Sequence, residues 1–199
     1  MNMRSLLALV ATAATVLGGL RAADTTLGAG AAASVGVVGC AEHVETGSPP
    51  SKAEIREARR SSFVVGAITL WGLRRAQSHA FAPGRARGDE GWKAGVTVHG
   101  HRPVAVRVAV RDRGWVALDY VRRPTGHGAR RVSDGDSAVR FDPCPPGTRS
   151  FVTRRPLGSE TGWAGGFLVA RRGCATLLVR RAGALRSTLL RVGFGVRCR

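Results

Sequence analysis

The chain has 199 residues, of which 44% are hydrophobic and 22% are charged, and its formal net charge is +18. This length and apolar content predict one domain with a hydrophobic core and exclude a disordered chain. Glycine shows no G-X-Y period, and Glu and Lys are too few for long exposed helices, so collagen-like and coiled-coil proteins are also excluded.

The positive charge comes almost entirely from arginine, because only Lys52 and Lys93 of the 31 basic residues are lysines. Clustered basic side chains neutralise phosphates, which would favour an anionic partner. The arginines are scattered along the chain, however, and Ala, Gly, Arg, Val and Pro are the residues of GC-rich codons. A solvated basic surface explains the charge more simply, and a nucleic-acid partner is not expected.

The N-terminus predicts an export signal. Residues 1–4 carry a positive charge, residues 5–20 are almost continuously apolar, and small residues follow through Ala33. This is the order of a secretory signal, and sixteen apolar residues are short for a membrane span of about 20. Candidate cleavage sites lie within residues 29–33.

A second apolar run over residues 27–39 leaves open an uncleaved anchor, with membrane contact through this segment. We therefore expect residues 1–39 to be a signal peptide or an N-terminal anchor. Residues 40–199 are expected to form a disulfide-stapled β domain that is secreted or held at the cell envelope.

Cys40 also fits a lipoprotein signal, in which the cysteine is acylated. Such a cysteine directly follows the apolar core, whereas here it lies twenty residues after Leu20. Lipidation would also leave three cysteines, an odd number for an oxidising compartment. Lipoprotein anchoring is therefore the minority alternative, and a disulfide of Cys40 is preferred.

Four cysteines in an exported chain predict two structural disulfides. Their spacing does not match a zinc site, and three pairings are open. We expect Cys144 to pair with Cys174, which closes a loop of about thirty residues, and Cys40 to pair with Cys198. The second pair would join the two ends of the domain.

A capping box at Ser51 and Glu54 predicts a short helix over Lys52–Arg60. The hydrophobic period then changes to two, most clearly where valines alternate with small or charged residues from Val104 to Val110. The predicted strands cover residues 63–70, 96–98, 104–110, 115–120, 138–141, 163–170, 175–181 and 185–194.

This pattern predicts a mainly β fold, an antiparallel β-sandwich or barrel of about eight strands with one short N-terminal helix. Parallel α/β folds are disfavoured because no long amphipathic helices lie between the strands.

We found no catalytic motif of hydrolases, metalloproteases or nucleotide-binding proteins, so no catalytic or cofactor-binding residue is assigned. His99 and His101 could share a metal, but a turn at Gly100 explains them better. Three aspartates lie where calcium could bind, but they lack the order of a calcium loop, and no metal site is expected. They are Asp134, Asp136 and Asp142.

The string from Trp163 to Phe167 contains paired glycines between two aromatic residues. Such glycines indicate a bulge or the close approach of another backbone. Tight sheet packing is the simpler explanation. A candidate ligand surface, with Trp163 as a stacking plate, is the alternative, and it comprises Trp163, Gly165, Gly166 and Phe167.

Four segments of the chain have counterparts in a known set of sequences. They are CAEHVE at 40–45, FDPCP at 141–145, TGWAGGF at 161–167 and GFGVRC at 193–198. Together they resemble uncharacterised exported proteins of high-GC bacteria. This resemblance covers most of residues 40–198. It implies a secreted bacterial domain, and it transfers no functional residue because it carries no known activity.

The leading functional hypothesis is a non-enzymatic exported domain of the cell envelope. Its role is either structural or the binding of an anionic polymer or lipid head group through arginines. The alternative is an envelope hydrolase with a non-local active site. A third reading, intracellular nucleic-acid binding, requires that the N-terminal signal be spurious.

Overall fold

The computed structural model describes residues 35–45, 51–80, 90–121 and 131–199, and in these ranges the chain is mainly β. The expected signal or anchor up to residue 34 lies outside the described residues. None of the described helices is long and apolar enough to cross a membrane.

The described residues contain one α-helix, α1 (Lys52–Arg60), and twelve strands. Four short 3-10 helices lie at Cys40–Glu42, Leu73–Ser78, Val110–Asp112 and Val132–Asp134. The strands are β1 (Val35–Val38), β2 (Phe63–Val65), β3 (Ile68–Leu70), β4 (Glu90–Lys93), β5 (Val96–His99), β6 (Val104–Val108), β7 (Val116–Asp119), β8 (Ala138–Phe141), β9 (Glu160–Trp163), β10 (Gly166–Val169), β11 (Gly173–Arg181) and β12 (Thr188–Phe194).

The strands form three sheets, with the orders β1-β8-β6-β11-β12, β2-β3-β5-β9 and β4-β10-β7. All pairings are antiparallel except that of β1 with β8. The predicted mainly β, antiparallel class is confirmed. The sheets are open and sandwich-like, so the sandwich alternative applies, and the strands are more numerous than the expected eight.

Strand β1 lies on the N-terminal side of the boundary expected at residue 40. It pairs in parallel with β8, with Val38 beside Phe141, and the Val38 side chain is buried in the core. Residues 35–38 are therefore part of the folded domain.

The predicted helix is confirmed with its capping box. The Ser51 hydroxyl accepts a hydrogen bond from the Glu54 amide (3.2 Å), and the Glu54 carboxylate accepts one from the Ser51 amide (2.7 Å). These contacts satisfy amides that the first helical turn leaves free.

The valine alternation builds the centre of the five-stranded sheet. Val104, Val106 and Val108 are buried on its inner face. Val110 was expected on the same face but is 76% exposed, because β6 ends at Val108 and a 3-10 helix begins at Val110.

Two predicted strands are each divided into two. Residues 63–70 form the β2–β3 hairpin, which turns at Gly66 with a φ of +58°. Residues 163–170 bend at Ala164 and Gly165, because β9 pairs with β5 in one sheet and β10 pairs with β4 in another. This bend carries the chain around a corner of the sandwich.

All three sheets contribute to one hydrophobic core. Its largest side chains are aromatic and meet edge-to-face or tilted, with Phe141 and Trp163 ring centroids 5.4 Å apart and Phe167 and Phe194 centroids 5.6 Å apart. The buried Tyr120 hydroxyl donates to the Ala94 carbonyl (2.7 Å), and burial raises the pKa of Tyr120. These core contacts therefore hold in place the corner of the sandwich, where the sheet of β4 and β10 meets the other two sheets.

Candidate functional site

The first disulfide joins Cys40 to Cys144, so the expected pairing of Cys144 with Cys174 is wrong. Because β1 and β8 run parallel, the chain leaves both strands in the same direction after Val38 and Phe141. The two cysteines follow within three residues, and their Cα atoms are 4.7 Å apart. The pairing depends on β1, which the sequence placed in the signal or anchor segment.

The second disulfide joins Cys174 to Cys198, so the expected Cys40–Cys198 pair is also wrong. Cys174 lies opposite Gly193 in the β11–β12 pair, and the chain turns back at Gly195 with a φ of +68°. A Cβ on Gly193 would lie 1.9 Å from the Val196 carbonyl oxygen. Only glycine therefore lets the C-terminal segment fold back to Cys174.

All four cysteines are paired, which indicates an oxidising, extracytoplasmic environment. Because the Cys40 sulfur is bonded to Cys144, it carries no thiol to acylate in this state. The disulfide therefore argues against lipoprotein anchoring through Cys40.

The string from Trp163 to Phe167 packs the corner of the sandwich. The Trp163 and Phe167 side chains are each 1% exposed, and the Trp163 indole donates to the Gly39 carbonyl (2.9 Å). A Cβ on Gly165 would lie 2.2 Å from the Tyr120 ring, and one on Gly166 would lie 2.0 Å from the Trp92 carbonyl oxygen. The close backbone approach is as expected, and neither ring has a face open to a ligand.

The two histidines of the turn bind different partners. His101 Nδ1 lies 2.9 Å from the Cys144 carbonyl oxygen, whereas His99 lies between Thr69 and Glu160. His99 Nε2 is 2.8 Å from Thr69 Oγ1, and its Nδ1 is 3.0 Å from Glu160 Oε1. The two rings therefore do not converge on a shared ion.

The contacts of His99 have the order of a hydroxyl–imidazole–carboxylate relay. Thr69 is only 3% exposed, however, and its strand β3 lies between β2 and β5, so its amides are held in the sheet ladders. An acyl-transfer site needs an accessible hydroxyl and free donors for the oxyanion. These three side chains are therefore better explained as a stabilising contact across β3, β5 and β9 than as a catalytic site.

The three aspartates considered for calcium also make separate contacts. Asp134 accepts from the Arg131 amide (2.7 Å), Asp142 pairs with Arg140, and Asp136 forms a bridge with Leu118. Within the described ranges, one cluster has the spacing of metal ligands, but two of its three ligand atoms are the bonded sulfurs of the first disulfide.

The outer side of the five-stranded sheet carries an arginine face. Its residues alternate with the buried core residues of four adjacent strands. Arg140 and Arg180 lie on either side of Ala105, Arg107 lies two residues further along the strand of Ala105, and Arg191 lies opposite Thr176. The arginine face comprises Arg107 on β6, Arg140 on β8, Arg180 on β11 and Arg191 on β12, all exposed.

Two of these arginines are engaged and two are free. Arg140 pairs with Asp142 (2.6 Å), whose hydrogen bonds and charge raise the Arg140 pKa, and Arg191 donates to the Arg199 carbonyl oxygen (2.7 Å). Within the described part of the chain, Arg107 and Arg180 have no carboxylate partner. Both guanidinium groups are thus available to an anion from solvent.

Exposed aliphatic side chains lie on the same side of the sheet. Val35 and Val37 on β1 and Leu189 on β12 point outward, at the two edges of the arginine face. The sequence showed that the valines of β6 alternate with Ala105 and Arg107, but the neighbours of Arg107 depend on the strand order. The arginine face could therefore not be found from the sequence alone.

A second feature that sequence analysis missed is the Glu45 carboxylate. It accepts hydrogen bonds from the Ser150 hydroxyl and from the amides of Phe151 (3.0 Å) and Val152 (3.1 Å). It also lies 2.7 Å from His43 Nε2. Desolvation raises the pKa of Glu45, but these hydrogen bonds together outweigh it and lower the pKa to about 2.

A groove with a volume of 680 Å³ lies between α1 and the four-stranded sheet. Ile55, Trp71 and Thr97 line it together with Glu54 and Glu160. Because its charged lining residues are acidic, this groove does not suit an anionic ligand.

No protein-family model matches the chain, and no curated protein matches it in sequence.

Proposed function

We propose that this protein is a non-enzymatic, exported domain of the cell envelope that binds anionic groups of an envelope polymer or lipid through the arginine face. The observation that carries the proposal is that Arg107 and Arg180 are both exposed on one side of the sheet and have no carboxylate partner among the described residues. Guanidinium groups on a rigid surface bind phosphate and carboxylate groups with both charge and geometry.

Two further observations support the exported location. Both disulfides require an oxidising compartment, and the sequence before β1 has the order of a secretory signal. Cleavage within residues 29–33 would leave β1 in the mature chain. The resemblance of four segments to exported proteins of high-GC bacteria agrees with this location.

The hydrolase alternative is not adopted. The hydroxyl of its best candidate, Thr69, is buried in the middle of a sheet.

The test is binding to fluorescent polyphosphate over a range of salt concentrations. The logarithm of the affinity should fall linearly with the logarithm of salt, because bound arginines release counterions. Arg107→Gln with Arg180→Gln should weaken binding and reduce this slope by about 1–2.

The matched control is Arg56→Gln with Arg60→Gln, which removes the same charge from the exposed surface of α1. This control should leave the slope nearly unchanged. Equal losses in the two double variants would show that only net charge matters, and the arginine face would be rejected.

A further inference from the structure

A short loop exposes about half of the surface of two consecutive apolar side chains, the first of which also packs edge-to-face against the His43 ring (centroids 5.2 Å apart). Phe151 is 55% exposed and Val152 is 45% exposed. They lie in the loop of residues 149–155, called here the apolar tip, which is closed by a bridge between Arg149 and Pro156. Exposed apolar side chains at the end of a loop are a common feature of contact surfaces.

The apolar tip is held in place by the Glu45 carboxylate, which binds the Phe151 and Val152 amides directly. Within the loop, the Ser150 amide donates to the Arg155 carbonyl (2.8 Å), and the Thr153 amide donates to the Ser150 hydroxyl (2.8 Å).

The first disulfide joins the segment that carries Glu45 to the segment that carries the apolar tip. Cys40 lies five residues before Glu45, and Cys144 lies six residues before Ser150. A tip fixed in this way loses little conformational freedom on binding, so its apolar side chains are preorganised for a partner.

The charges around the apolar tip indicate the chemistry of that partner. Arg149, Arg154 and Arg155 flank the two apolar side chains and are exposed. The Arg149 guanidinium donates to the Arg154 carbonyl (3.1 Å), and within the described ranges these three arginines have no carboxylate partner. Apolar side chains surrounded by cations match the interface of an anionic bilayer, where head groups lie above the acyl chains.

We propose that the apolar tip inserts Phe151 and Val152 into the interface of a bilayer that contains anionic lipids. This inference rests on the proposed function and names a lipid surface as a partner. The arginines contact the head groups, and the two apolar side chains reach the acyl boundary.

The experiment measures binding of the full chain to phosphatidylcholine vesicles with and without phosphatidylglycerol. Phe151→Ser with Val152→Ser should weaken binding to the anionic vesicles by about tenfold or more, because the apolar contact is lost. Val64→Ser with Val110→Ser removes two other exposed valines and should leave vesicle binding unchanged.

A second readout locates the insertion. Phe151→Trp places an indole at the apolar tip, and brominated anionic lipids should quench the emission of this variant more than that of the wild-type chain. No additional quenching would overturn the proposal, as would unchanged vesicle binding of the serine variant.

Polyphosphate binding separates this inference from the function on which it rests. The serine variant should bind polyphosphate as the wild-type chain does. An equal loss of polyphosphate binding would make the tip a polymer contact and overturn insertion. Polyphosphate binding without vesicle binding would overturn the tip alone, whereas failure to bind either would overturn both proposals.

Discussion

Glu45 shows how one partly buried acid can order a loop that local sequence does not specify. Its carboxylate replaces water with donors from Ser150, Phe151 and Val152, more than a hundred residues away. Charged acceptors make stronger hydrogen bonds than neutral ones, so the carboxylate form is favoured in the folded state. Nothing in the segment around Glu45 distinguishes it from an ordinary exposed glutamate.

Glu45 should make stability depend on pH in the acid range. Its pKa is about 2 in the folded state, against an ordinary value of 4.5 for an exposed glutamate, so the unfolded chain binds more protons between these values. Its contribution is complete above pH 4.5 and falls as the pH drops towards 2. The free energy of unfolding of the wild-type chain should exceed that of Glu45→Gln most at about pH 6, and the gap should shrink towards about pH 2. A gap that is independent of pH would contradict this role.

Gly166 should tolerate no side chain, because a Cβ there would lie 2.0 Å from the Trp92 carbonyl oxygen. Gly166→Ala should lower the free energy of unfolding by about 2–4 kcal/mol, since the backbone of β4 at Trp92 and Lys93 must move away. Gly91→Ala is the control on neighbouring β4, where a Cβ would have no neighbour within 4 Å. Urea denaturation of both variants measures the difference, and equal stabilities would show that the corner can relax.

At the level of elements, the two disulfides should differ in their contribution. Cys40–Cys144 spans 104 residues and Cys174–Cys198 spans 24. In the chain-entropy model, the longer loop gives about 4.7 kcal/mol and the shorter about 3.4 kcal/mol. Replacing each pair by serines should therefore destabilise the domain more in the first case. Guanidinium denaturation of the two double variants provides the comparison, and the reverse order would contradict the entropic account.

Local chemistry in the sequence predicted several elements correctly. The capping box at Ser51 specified α1, and the alternation around Val106 specified β6, because both signals depend on neighbouring residues. Strands β1 and β4 were missed. Residues 35–38 continue an apolar run that a signal or anchor also explains, and the four residues of β4 show no alternation of apolar side chains.

The contacts between distant elements could not be predicted in the same way. The disulfide pairing depends on the parallel neighbour of β8, and the corner at Gly165 depends on which sheets β9 and β10 join. The arginine face likewise requires the order of four strands that are separated in sequence by loops of very different length. Strand order is set by packing of the whole core rather than by local pattern.

The whole molecule combines two disulfides and a basic sheet surface with an N-terminal segment that is expected to be an export signal. The two disulfides indicate an oxidising environment, and the signal expected from the sequence would bring the chain there. Under the proposed function, the net charge of +18 acts on anionic groups of the envelope instead of on nucleic acid. A reduced chain in the cytoplasm would remove the reason for this choice of partner.

Peptide mapping by mass spectrometry under non-reducing conditions, on protein isolated from its native compartment, tests this account most directly. We expect two linked peptides, one joining Cys40 to Cys144 and the other joining Cys174 to Cys198. Four free thiols, or a peptide joining Cys144 to Cys174, would contradict the account.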